Sequence, residues 1–176
     1  CATSTSGIPS SGASSYTSRM NELVHIGATS PAKATTRTND PARTMAGILE
    51  VATKEFAAKG LSGARIDAIA AATSTSKRMI YYYFGSKEGL YIAVLEESYR
   101  RMRTIEAELH LENLDPVAAL RRLVEFTFDH HCSNEDFIRL VMNENIERGV
   151  YLAQSKSIQE LNVPAVAAIQ ELYDRG

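Results

Sequence analysis

Between Ser76 and Leu90 the sequence SKRMIYYYFGSKEGL sets two helix starts on either side of one break. Ser76 is an N-cap residue, whose side-chain oxygen takes one of the free amides of a helix's first turn. Lys77 and Arg78 follow it. Gly85 closes the helix, because glycine tolerates the left-handed conformation that C-caps require. Ser86 then repeats the N-cap, with Lys87 behind it. Ile80 and Phe84 lie four apart and share one face, so they anchor the short helix to a core. Tyr81 and Tyr82 point elsewhere, within reach of a phosphate or sugar. Basic residues in the exposed first turn of a short helix stand where a reading helix meets base edges in a major groove. Free amides and a lysine at the start of the second helix form an anion site, here for DNA phosphate.

The preceding segment supplies a support for that helix. Asp40-Pro41 is a strong helix opening, with an acidic N-cap and proline at the first helical position. Met45, Ile48, Leu49, Ala52 and Phe56 then form one apolar stripe at helical spacing. Gly60 ends the stripe. A second helix is expected from about Arg65 to Ala72, with Ile66, Ile69 and Ala70 inward and Arg65 at a phosphate. Thr73-Ser74-Thr75 makes the turn into the helix begun by Ser76. Three helices with a short turn between the last two make a helix-turn-helix arrangement. Its expected DNA contacts are Arg65, Thr75, Ser76, Lys77, Arg78, Tyr81, Tyr82 and Lys87.

The run IAAATSTSKRMIYYYFGSKEGLYIAVLE resembles the DNA-binding domain of TetR-type transcriptional regulators, over roughly residues 41–97. Its most specific parts are the Tyr-x-x-Phe of Tyr81 to Phe84 and the Ser86-Lys87-Glu88 after it. Two positions depart: Ser74 stands where the family usually has glycine, and Ala64 where it usually has threonine. The stretch from Phe137 to Val166 resembles one subgroup of TetR-type ligand-binding domains. The resemblance implies a homodimeric repressor that binds a near-palindromic double-stranded operator and leaves it when a small-molecule effector binds. It also implies about two helices beyond Gly176, so the helices that dimerise in the family are expected to be incomplete.

Downstream the pattern stays helical: from Ser86 to about Glu112, from Asp115-Pro116 to about His131, from an Asn134 cap to a break near Gly149, from Tyr151 to Leu161, and from Pro164 onward. No window alternates with period two, so the fold class is all-α. The expected organisation is a tail over residues 1–39, disordered or not native, a helix-turn-helix domain over 40–86 whose pattern runs into the linking helix to about 97, and a helical ligand-binding and dimerisation domain over 87–176. The tail is rich in Ser, Thr, Ala and Gly and cannot offset its ordering entropy. The chain does not open on methionine, and Met20 is a candidate start.

The net charge of −2 is unpromising for a nucleic-acid binder until it is divided. Residues 37–103 carry +4 and residues 104–176 carry −7, with +1 in the first 36. A basic module precedes an acidic one. No apolar run nears the ~20 residues of a membrane helix, and no signal peptide opens the chain. Cys1 and Cys132 form no disulfide framework, which fits a reducing, cytoplasmic setting.

The acidic module offers sites to weigh. His130-His131-Cys132 invites a metal reading, but adjacent helical residues point about 100° apart and cannot face one ion. No metal or cofactor is expected. Phe126, His130, Phe137, Val141, Met142 and Asn145 are candidate walls of an apolar effector cavity with a few polar groups; helical spacing alone would make most of them core. Gly-rich phosphate loops, Gly-x-Ser-x-Gly elbows and Cys-x-x-Cys pairs are missing from the sequence, so an enzyme is not expected. A helical interaction module without DNA binding is the remaining alternative.

Overall fold

The structure is a computed structural model that describes residues 40–176; the tail and its candidate start at Met20 lie outside the described residues. Seven α-helices follow in order: α1 (Pro41–Gly63), α2 (Ile66–Ala72), α3 (Lys77–Phe84), α4 (Lys87–Ala107), α5 (Pro116–Ser133), α6 (Glu135–Ile146) and α7 (Lys156–Arg175). Short 3-10 turns at Leu111–Asn113 and Leu152–Gln154 join them. The described residues contain no strand.

The caps do their work locally. Asp40 accepts from the amides of Ala42 (3.0 Å) and Arg43 (3.3 Å), and proline follows it as a first-turn residue. Ser76 accepts from Met79 N at 3.2 Å and Ser86 from Gly89 N at 3.0 Å. Gly60 and Gly85 both adopt positive φ, which an L side chain rarely takes. At Gly60 the helical path of α1 breaks, and one further turn carries the chain to Gly63.

One apolar core runs from the first helix to the last. Ile48, Ala52 and Phe56 of α1 are fully buried, with Ile66 and Ile69 of α2 and Ile80 of α3 against them. Leu90, Tyr91, Val94 and Leu95 of α4 complete the wall. Leu140 of α6 and Ile158 of α7 belong to the same cluster. α1 therefore packs on both α4 and α6.

Three downstream expectations are corrected. The helix from Ser86 ends at Ala107, short of the expected Glu112. The run stops because the chain turns left-handed at His110 before it reaches Leu111. Asn134 makes no side-chain cap for α6; its Nδ2 donates to the His130 carbonyl at 2.8 Å and closes α5 instead. The last segment is one helix through Pro164, started by Ser155, which accepts from Ile158 N at 3.1 Å. Pro164 lacks the N–H that would meet the Glu160 carbonyl. Both residues are exposed, so the missing bond lies on the solvent side of α7.

The joint between α1 and α2 is ionic. Glu55 pairs with Lys59 at 2.7 Å and accepts from the Arg65 amide at 3.1 Å, so one carboxylate fixes where α2 begins. The hydrogen bond from Lys59, and then the Arg65 amide against a cost of burial, hold its carboxyl below the ordinary range. A carboxyl with a depressed folded pKa contributes fully above its unfolded pKa and loses that contribution as acid takes it through the folded one. Glu55→Ala is expected to cost about 1–2 kcal/mol at neutral pH by denaturant unfolding, with the gap to wild type narrowing below pH ~4.5.

The helix-turn-helix turn carries strain. Ser74 sits at φ 53°, a conformation that costs an L residue about 1–2 kcal/mol. Ser74→Gly removes that cost and adds unfolded-state freedom. The net expectation is a gain of roughly 0.5 kcal/mol, read as a higher denaturant midpoint.

Candidate nucleic-acid interface and effector region

The reading unit is built from the core outward. Ile80 is fully buried and Phe84 and Tyr83 are half-buried against the same cluster, so α3 is held by one face. The opposite side is free: Tyr81 is 43% and Tyr82 77% exposed, and Ser76, Lys77 and Arg78 are exposed. Tyr82 meets Tyr83 edge-on at 5.4 Å, which steadies an otherwise solvated ring. Three consecutive tyrosines thus divide between core and surface, and form no common stacking platform.

The turn before α3 is tied by its own polar groups. Thr75 N donates to Ala70 O at 3.1 Å and Thr73 Oγ1 to Ile69 O at 2.8 Å. Thr75 is half-buried, with its hydroxyl on the Thr73 carbonyl at 3.3 Å. Arg65 caps α2 by backbone conformation alone and leaves its side chain exposed.

The cations of this surface are not equivalent. Lys77 forms an ion pair with Asp67 of α2. Lys87 donates to the Ser62 carbonyl at 3.3 Å, across the α1–α2 turn. Arg65 and Arg78 make no ion pair among the described residues. At the start of α4 the free amides act on Glu88, whose own N–H, followed by the Ser86 hydroxyl, holds its carboxyl below the ordinary range. That end of α4 already favours negative charge.

The candidate effector residues separate into two groups. Phe126, His130 and Phe137 come together: the His130 ring lies 5.6 Å from Phe126 and 5.3 Å from Phe137. Tyr99 of α4 joins them, 5.6 Å from Phe137, a contact that α4 spacing alone did not single out. His130 Nδ1 is buried without a hydrogen-bond partner. Burial, then the neighbouring His131, lowers its pKa and keeps the ring neutral at physiological pH. Val141 is half-buried on α6, whereas Met142 and Asn145 are exposed. Met142 instead lines a groove of about 430 Å³ between α1 and α6, with Asn143, Gly60 and Tyr91.

A larger groove, about 800 Å³, lies between the end of α4 and α7. Its walls include Arg103, His110, Leu161, Pro164 and Ala165. Arg103 is held there by Glu106 and by Asn162 at 3.0 Å. Sequence reasoning missed this groove, because its residues are far apart in the chain and share no motif. No group of three or more His, Cys, Asp or Glu among the described residues is placed to hold a metal ion. No described helix is long and apolar enough to cross a membrane.

Comparisons with known proteins match both parts of the chain. The family model described as bacterial regulatory proteins, tetR family, matches residues 48–94. The model described as tetracyclin repressor-like, C-terminal domain, matches residues 116–176. The chain is 37% identical over 144 residues to the HTH-type transcriptional repressor NicS of Pseudomonas putida, covering 82% of this chain and 68% of NicS. It is 35% identical over 138 residues to the HTH-type transcriptional repressor SCO4008 of Streptomyces coelicolor, covering 78% and 68%. Among solved structures, the hemolysin II transcriptional regulator HlyIIR superposes with a TM-score of 0.60 at 25% identity, over 78% of this chain and 74% of that one.

Proposed function

This chain belongs to the TetR family of bacterial regulatory proteins, and we propose that it is a sequence-specific DNA-binding transcriptional repressor released from its operator by a small molecule. The family is one of regulators rather than enzymes. The observation that carries the reading is α3 itself: a capped helix, anchored through fully buried Ile80, that turns Arg78, Tyr81 and Tyr82 to solvent.

The residue roles follow from this geometry as proposals. Arg78, exposed and unpaired, reads base edges, where a long basic side chain meets the two acceptors of guanine. Lys87, Arg65 and Tyr81 hold phosphate or sugar, which positions the protein and carries no sequence information. Thr75 and Ser76 bring the start of α3 close to the duplex. Two copies, each with one reading helix, fit a near-palindrome with half-sites ~34 Å apart. Support for a second copy comes from α5, where Val117, Leu120, Val124 and Phe128 leave an apolar stripe in solvent. Such a protein acts in the cytoplasm, on chromosomal DNA.

The effector reading rests on the aromatic group. A neutral imidazole with a buried, unpaired Nδ1 amid Phe126, Phe137 and Tyr99 suits a mostly apolar ligand with one hydrogen-bonding group. Val141 borders it. The effector weakens DNA binding only to the extent that it prefers one conformation of the protein.

Two outcomes are expected. Duplexes selected from a random pool define the operator. Arg78→Ala then costs about 1–3 kcal/mol on that operator and less on scrambled DNA, while Lys87→Ala weakens both about equally and lowers the salt slope by about one. The reverse pattern in filter binding across a salt series would exchange the two roles. In a thermal-shift screen, apolar compounds that raise the melting midpoint are expected to lower operator affinity, and His130→Ala to abolish both effects with operator binding intact. A tight binder that leaves DNA affinity unchanged removes the inducer role for that compound.

A further inference from the structure

The two cations that head α3 stand in different electrical states. Lys77 is paired with Asp67, the second residue of α2, and both side chains are about half exposed, at 54% and 52%. Arg78, one residue on, is exposed and makes no ion pair among the described residues. The pair spans the helix-turn-helix turn, from the first turn of α2 to the first turn of α3. Glu50 and Glu55, by contrast, pair with lysines on their own helix.

We propose that Asp67 is a specificity-determining positioning residue: it holds the Lys77 ammonium against α2, keeps it off the phosphates of arbitrary DNA, and leaves sequence reading to Arg78. The inference rests on the DNA-binding reading above. Phosphate attraction is the same for every sequence, so each free ammonium on the reading face raises affinity for all DNA alike. Affinity gained in that way dilutes the share that depends on base edges. Asp67 cancels the Lys77 charge, and its own carboxylate is repelled by phosphate, so the pair contributes little to indiscriminate binding. An exposed ion pair is weak. On the operator the Arg78 contacts fix the register of α3, so a freed Lys77 meets a phosphate less readily there than on arbitrary DNA, where α3 shifts freely towards one. The correct operator therefore loses less to the pairing than scrambled DNA does.

The test uses the full chain, the selected operator and a scrambled duplex, with filter binding across a salt series from about 50 to about 200 mM. Wild type is compared with Asp67→Asn, Lys77→Gln and the double variant. Asp67→Asn is expected to raise affinity for scrambled DNA roughly three- to tenfold at low salt and to steepen its salt slope by about one, as one more phosphate contact requires. The operator should gain less, so the specificity ratio falls. In the Lys77→Gln background the same substitution should leave the slope unchanged. An unchanged ratio overturns the proposal. So does a slope change that persists without Lys77, since Asp67 would then act as a plain repulsive charge. Parallel loss on both DNAs with a lower melting midpoint would make Asp67 a structural residue and also overturn it. A wild type with no preference between the two duplexes would instead remove the sequence-specific reading itself.

Discussion

The structure depends on the burial of Phe56. Its side chain has no exposed surface, and Tyr91 of α4 meets it edge-on at 5.1 Å. Tyr91 in turn meets Tyr151 at 5.3 Å. The Phe56 carbonyl accepts a hydrogen bond from Asn143 Nδ2 of α6 at 3.3 Å. One residue near the end of α1 thus touches the linking helix through its ring and α6 through its backbone. Edge-on aromatic pairs contribute ~0.5–1.5 kcal/mol beyond area burial. α3 is held by its fully buried Ile80 and packs on α2 and α4, the helices that α1 braces.

The buried carboxylate beside this stack shows what the arrangement costs. Glu144 is 1% exposed, and one of its oxygens accepts from Leu152 N at 3.1 Å while the other is unpaired. The Tyr91 phenol is driven well above its ordinary pKa, first by burial and then by Glu144, so it stays protonated. A buried acid with an unsatisfied oxygen is tolerated only where surrounding packing offsets it. Here the packing is the contact of α1 with α4 and α6.

Local signals were legible in the sequence because each depends on a few adjacent residues. Asp40, Ser76, Ser86 and Asp115 each cap the helix they precede. Ile48, Ala52 and Phe56 of the α1 stripe and the inward residues of α2 are buried as their spacing implies, while Met45 and Leu49 are half-buried. What failed depends on distant partners or on competing local bonds. Asn134 looked like the cap of α6, yet its amide reached back to the His130 carbonyl, one turn away in α5. Pro164 looked like a helix start, and proves to be an exposed residue within one continuous helix. The pairing of Lys77 with Asp67 was invisible because it joins two helices across a turn whose strained conformation, at Ser74, lets them approach. In the candidate effector region the aromatic group was partly legible, through Phe126, His130 and Phe137. α6 turns one face to α1 as well as another to α5, so Met142 lines the groove beside α1 while Asn145 is exposed.

That double contact bears on how an effector in the aromatic group would reach DNA. The long helix α4 is one route, since it runs from the DNA-binding unit to Tyr99 beside Phe137. α6 offers a shorter one: it carries Phe137 in its first turn and Asn143 six residues later, ~9 Å along the axis. At one end is the proposed ligand and at the other the Phe56 carbonyl. Allosteric coupling is typically about 1–3 kcal/mol, and a single intramolecular hydrogen bond contributes ~0.5–1.5 kcal/mol. Loss of the Asn143 bond with a small repacking around Phe56 is therefore of sufficient size by itself. The packing of α6 on α1, with the Asn143 bond to the Phe56 carbonyl, thus stands beside α4 as a second contact between the helix that carries Phe137 and the DNA-binding unit.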